Sequence, residues 1–122
     1  MILSDMEYHL VLLPVIGSHY SDKIKSDLSI IIPDVLLQFN GGVKKLTVAR
    51  DEVYVHFSSS PDASPREIAK TLIWDVSLRL KRVNKELVGY KSVFRDACFI
   101  KTGAKPTTAR VRDFISISIH GV

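Results

Sequence analysis

The chain has 122 residues, 46% apolar and 25% charged, which suits one globular domain with a real core and is too short for two. Seventeen Lys and Arg against thirteen Asp and Glu leave a net charge of +4, a bias that fits a polyanionic partner without proving one. A single cysteine, Cys98, excludes a disulfide framework within the chain and a cysteine-based zinc cage, and no run reaches the roughly 18 apolar residues of a membrane span.

In chain order, YHLVLLPV (Tyr8 to Val15) predicts a central strand covered on both faces, with Pro14 at its end. Ser21 is the expected N-cap of a helix that starts SDKIKSDL and continues over Ser29 to Phe39, with a kink or break at Pro33. Asn40-Gly41-Gly42 is a turn. VKKLTVA and EVYVHFSS follow as two strands joined tightly at Arg50-Asp51, which predicts an antiparallel hairpin with Val53, Val55 and Phe57 on its buried face. Glu52, Tyr54 and His56 then share the outward face. Ser64, Pro65 and Glu67 form a helix start, and Ile68, Leu72, Val76 and Leu80 recur every four residues, carrying that helix to about Leu87. Its end is basic: Arg79, Lys81, Arg82 and Lys85. These suit either a solvated helix end or contacts to phosphates. Trp74 falls between the apolar positions, at a core edge or facing a dimer partner or nucleic acid. SVFRDACFIK is a last strand, and Pro106 opens a short helix over TTARVRDFIS. The order β-α-β-β-α-β with an antiparallel sheet and a short C-terminal helix is the ferredoxin-like α+β arrangement, a single domain over residues 1–122. That arrangement by itself assigns no function.

Four blocks resemble the small single-tyrosine HUH transposases encoded by insertion sequences and by REP-associated elements. YHLVLLP is similar to that family's opening YHLVW-x-P, and DEVYVHF stands where the family has D-H-V-H-L-L-V. SPREIAKTLIWDVSLRL resembles its S-x-x-E-I-V-x-x-L-K-x-x-S-S-R-x-L helix, and VFRDACFIKTG its L-W-x-x-G-Y-F-V-x-T-V-G strand. The resemblance implies a homodimer acting on single-stranded or hairpin DNA. In the family, a His-hydrophobe-His pair holds Mg or Mn, and a tyrosine on the C-terminal helix attacks the scissile phosphate.

Mapped onto this chain, the two histidine positions hold Glu52 and Tyr54. The family's V-x-R-Y-I segment matches Val111 to Ile115, so the nucleophile position holds Phe114 and the third-ligand position Ser118. Phenylalanine has no hydroxyl, serine ligates metal poorly, and a phenol of pKa about 10 ligates poorly unless ionised. No tyrosine follows Tyr90, so a slip in this register cannot restore the nucleophile. His56 does not replace a lost ligand, because four strand residues separate it from Glu52 by roughly 13 Å. His9 reads as a packed or hydrogen-bonded strand residue.

The expectation is a DNA-binding transposase-like protein without strand cleavage and without a metal cofactor. Its nucleic-acid contacts are expected from Arg79, Lys81, Arg82, Lys85, Lys101, Lys105, Arg110 and Arg112. An active DNA-nicking enzyme with an altered site and a non-catalytic interaction module are the alternatives. MILSDMEYHLVLLPV carries acids where a signal peptide needs basic residues, so the expected compartment is the cytoplasm.

Overall fold

The computed structural model of the chain describes residues 6–60 and 63–102, with positions 96–99, 101 and 102 entering through their backbone alone. The expected C-terminal helix, Phe114, Ser118, Lys105, Arg110 and Arg112 lie outside the described residues.

Four strands and two helices alternate as expected: β1 (Met6–Pro14), α1 (Asp22–Leu36), β2 (Gly42–Val48), β3 (Val53–Ser59), α2 (Pro65–Val83) and β4 (Phe94–Thr102). The strands form one sheet in the order β2-β3-β1-β4, and every neighbouring pair is antiparallel. This is the ferredoxin-like arrangement, with β1 central and Pro14 as its last residue, where its missing N–H is harmless. No described helix is long and apolar enough to cross a membrane.

Strand alternation divides the sheet into two faces. Tyr8, Leu10 and Leu12 of β1 join Val53, Val55 and Phe57 of β3 in a core sealed by Ile24, Leu28 and Ile32 of α1 and by Ile68, Leu72, Val76 and Leu80 of α2. His9, Val11 and Leu13 point the other way, beside Tyr54 and His56, and all of these but His56 are buried as well.

Helix ends follow the local chemistry. Ser21 Oγ accepts the Ile24 amide and Ser64 Oγ accepts the Glu67 amide, each satisfying a donor that the first turn leaves without a carbonyl. Of the kink or break expected at Pro33, the break does not occur, since α1 continues through it to Leu36. Packing of Ile32, Val35 and Leu36 into the core holds the last turn together despite the one hydrogen bond that proline removes. Helix α2 ends at Val83, four residues before the expected Leu87, because Asn84 leaves helical geometry and its side chain caps the end by donating to the Leu80 carbonyl. The same Nδ2 donates to Asp27 Oδ2 of α1, and Lys23 donates to Asn84 Oδ1, to Asp27 and to the Val83 carbonyl, so one buried amide staples the two helices. The Lys23 hydrogen bond, then that of Asn84, holds the Asp27 carboxyl below its ordinary range.

Gly41 is required by space. A Cβ there would lie 2.5 Å from the Ser58 carbonyl oxygen and 3.1 Å from that of Leu36. Asn40 before it takes the left-handed conformation at φ 54° that closes the 3-10 turn over Leu37–Phe39, which follows α1. On the outer strand β2, the register shifts between Val43 and Lys45, leaving Lys44 as an extra, bulged residue. The other outer strand, β4, is nine residues long and pairs only with β1 among the described residues.

Candidate functional site

The opening residues of the hairpin strand fall into place differently from their sequence pattern. Glu52 precedes β3 and belongs to the connecting turn, where its carbonyl accepts the Ala49 amide at 2.9 Å. Tyr54 is on the sheet face away from the helices, as its parity requires. That face is not a solvated one at this point, because Tyr54 is only 9% exposed. Burial was missed because alternation fixes which side a residue faces, and not whether that side is wet.

Pairing between β1 and β3 sets His9 directly opposite His56 and Val11 opposite Tyr54. The two imidazoles stack at a centroid distance of 4.2 Å. Tyr54 sits diagonally from His9, within reach of a long side chain, and its hydroxyl hydrogen-bonds His9 Nδ1 at 2.6 Å. One diagonal step further, His56 Nε2 lies 3.3 Å from Glu7 Oε1, and the bulged Lys44 reaches the same oxygen at 2.6 Å. A polar row thus runs across three strands from a buried phenol to an exposed ammonium. The hydrogen bond and charge of Lys44 keep the Glu7 carboxyl below its ordinary range, while burial pushes the Tyr54 phenol up.

Sequence reasoning took His9 as packed or hydrogen-bonded, which the structure bears out. It did not join His9 to Tyr54, since 45 residues separate them and only the strand register brings them together. The signal available was the shared parity of His9 in YHLVLLP and Tyr54 in DEVYVHF, once the two strands are paired.

The residues at the positions where the resemblance implies Mg or Mn are poor ligands for either ion. Glu52 is in a turn, and Tyr54 is a buried phenol, kept protonated by its surroundings and already hydrogen-bonded to an imidazole. A protonated phenol offers a divalent cation little. Among the described residues no three His, Cys, Asp or Glu side chains converge as a metal cage. These positions do not fit the ion.

The expected basic contacts divide. Arg79 pairs with Asp34 of α1, and Lys81 Nζ donates to the carbonyls of Tyr90 and Lys91 at 3.0 and 3.3 Å. Those two cations tie α2 to its neighbours. Arg82 and Lys85 are exposed beyond them and open to an anionic ligand. Lys101 lies on β4, opposite His9 in the register, and enters through its backbone alone.

No family model and no curated protein matches the chain. Solved structures do. A protein of Deinococcus radiodurans R1, provisionally assigned as a transposase, superposes with a TM-score of 0.83 at 18% identity, over 96% of this chain and 93% of that one. A REP-associated tyrosine transposase bound to a REP hairpin gives 0.51 at 12% identity, over 96% of this chain and 68% of the other. The M. kandleri SerRS, solved with A. aeolicus tRNASec, gives 0.54 at 13% identity, but the match takes in only 23% of that chain. From near one end to the other, this chain has the fold of the transposase structures it resembles.

Proposed function

We propose that the chain is a degenerate member of the single-tyrosine HUH transposases, a cytoplasmic DNA-binding protein that takes hairpin or single-stranded DNA without cutting it. The observation that carries this reading is the fold match along nearly the whole chain of a transposase structure, in both directions. A second neighbour of the same fold is bound to a DNA hairpin, and the net charge of +4 suits such a ligand.

Loss of cleavage rests on four positions. Glu52 and Tyr54 stand where the resemblance calls for two neutral imidazoles, Phe114 where it calls for the nucleophile, and Ser118 where it calls for the third ligand. Without them nothing offsets the charge that develops on the scissile phosphate, and one such contribution is typically worth ~10²–10³ in rate.

A specific observation supports a second reading, in which Tyr54 is a relocated nucleophile: its hydroxyl touches an imidazole nitrogen, as an activated phenol would. Burial and the raised phenol pKa weigh against it. For assembly, the reading takes a homodimer through β4. The β2 edge is guarded by its bulge and by Lys44 and Lys45, whereas β4 has one long side without a strand partner among the described residues.

The test is a gel-shift and cleavage assay on hairpin and single-stranded DNA with magnesium or manganese. Salt-sensitive binding with no product and no covalent adduct is the expected result. An adduct that peptide mapping places on Tyr54 would establish the second reading, and absence of binding at low salt would overturn both.

A further inference from the structure

Beside α2 lies a groove of about 600 Å³ that the family resemblance leaves unassigned. Arg66, Lys70 and Trp74 stand four residues apart on the helix, so they form one stripe along its wall, roughly 12 Å long at ~1.5 Å per residue. The buried Ala69 and Ile73, with Ile100 of β4, make the floor. Trp74 is 38% exposed and also borders a smaller cleft of about 170 Å³, lined with it by Ile73, Lys91 and Ser92. Each of the two clefts that the indole borders therefore carries cations in its lining. Among the described residues, neither cleft has an acid in its lining and none of Arg66, Lys70 and Lys91 pairs with an acid.

We propose that this groove is a binding site for an unpaired DNA strand, in which a base stacks on Trp74 while Arg66, Lys70 and Lys91 contact the adjoining phosphates. The inference rests on the DNA-binding reading above and gives it a location. The chemistry selects the ligand by both of its parts. An indole face beside an apolar floor suits an aromatic ring, a row of cations suits a polyanion, and an unpaired strand supplies both at every nucleotide. A base inside a duplex has both faces stacked already and cannot offer one. A second copy of the chain is a poor occupant, since it brings the same net positive charge. This site is on the helix side of the sheet, apart from His9 and Tyr54, so binding there needs nothing from the altered positions of the other face.

Trp74 is the chain's one tryptophan, and its emission reports on this groove alone. The full chain is titrated with labelled oligo(dT) at about 50 mM salt, reading anisotropy for binding anywhere and tryptophan emission for binding here. Emission should be quenched with the same midpoint as the anisotropy change. Trp74→Ala should weaken binding about five- to hundredfold, and Trp74→Phe, which keeps an aromatic face, should retain most of the affinity. Arg66→Glu with Lys70→Glu should flatten the log–log salt dependence by about 0.7 for each phosphate that is no longer neutralised. An anisotropy change without quenching, or Trp74→Ala binding as tightly as wild type, would place the strand elsewhere and overturn this inference while leaving the proposed function intact. No anisotropy change with either oligo(dT) or a hairpin would overturn both. Equal quenching by a blunt duplex would overturn the assignment to an unpaired strand.

Discussion

Replacing Tyr54 with phenylalanine removes one oxygen from a buried pair and leaves the ring in place. The hydroxyl and His9 Nδ1 are 2.6 Å apart, with their residues 9% and 4% exposed, so water cannot easily take the place of the lost hydrogen bond. Such a bond contributes ~0.5–1.5 kcal/mol net, and more where its loss strands a buried partner, so the variant should be less stable by about 1–2 kcal/mol. For a chain of 122 residues the unfolding entropy is about 0.26 kcal/mol/K, which turns that loss into a fall in Tm of roughly 4–8 °C by circular dichroism. The pH dependence gives an independent check. Burial raises the folded phenol above its ordinary value of 10.0, so the protonated hydroxyl is the form that the fold favours. Its contribution is whole below pH 10 and disappears as pH rises through the folded value. Wild type should accordingly lose stability more steeply than Tyr54→Phe on the alkaline side. Equal Tm values within about 1 °C, together with superimposable alkaline profiles, would refute the account of the pair. The same variant tests the chemistry: it should bind hairpin DNA like wild type, and neither protein should form an adduct.

The remaining expectations concern metal, space and acid. Calorimetric titration with manganese should show no tight site, and micromolar affinity abolished by Glu52→Ala would restore this strand as a metal centre. Gly41→Ala should destabilise by more than the ~0.5 kcal/mol of ordinary surface changes, because both oxygens its Cβ would meet belong to backbone; an unchanged urea midpoint would contradict that geometry. Asp27 has a lowered pKa, so its contribution exists above the ordinary carboxyl value of 3.8 and is lost as pH falls through the folded value. Asp27→Asn should therefore flatten the acid limb of the stability profile, and an identical limb would exclude this carboxylate from acid unfolding. Asn84→Ala should cost about 1–3 kcal/mol in denaturant unfolding, with the loss concentrated in α1–α2 packing, and a loss below ~0.5 kcal/mol would show that the amide is no staple.

Periodicity and punctuation carried the fold because each element announced its own ends. Ser64 and Pro65 opened α2 where the capping chemistry says they must, and Val53, Val55 and Phe57 turned inward as their alternation requires. Misjudgements arose where a distant partner decided. Asn84 ends α2 early because Asp27 and Lys23, 57 and 61 residues away, hold its side chain, and no local pattern encodes that. Pro33 suggested a kink or a break, but Ile32, Val35 and Leu36 around it are buried deeply enough to keep the helix running to Leu36. At the candidate site, Glu52 and Tyr54 could be placed by resemblance alone. The hydrogen bond of Tyr54 to His9 required the register of β1 against β3, which a single sequence does not specify. The Arg66–Lys70–Trp74 stripe was present as a four-residue spacing, yet only the depth of the wall beside Ile100 makes it a groove rather than an ordinary solvated helix face.

The two outer strands of the described sheet are not equivalent, and the difference would limit how far the assembly proposed above could extend. A sheet with two open sides can add copies without limit, and that is how fibres grow. Here β2 carries an extra residue and two adjacent lysines, one of them drawn across the sheet to Glu7. That side is unsuited to accept another strand. A copy joined through β4 would use up the one receptive sheet edge among the described residues, so growth along the sheet would stop at a closed pair. The lysine bulge, remote from any chemistry, would then act as the terminator that separates a defined assembly from an aggregate.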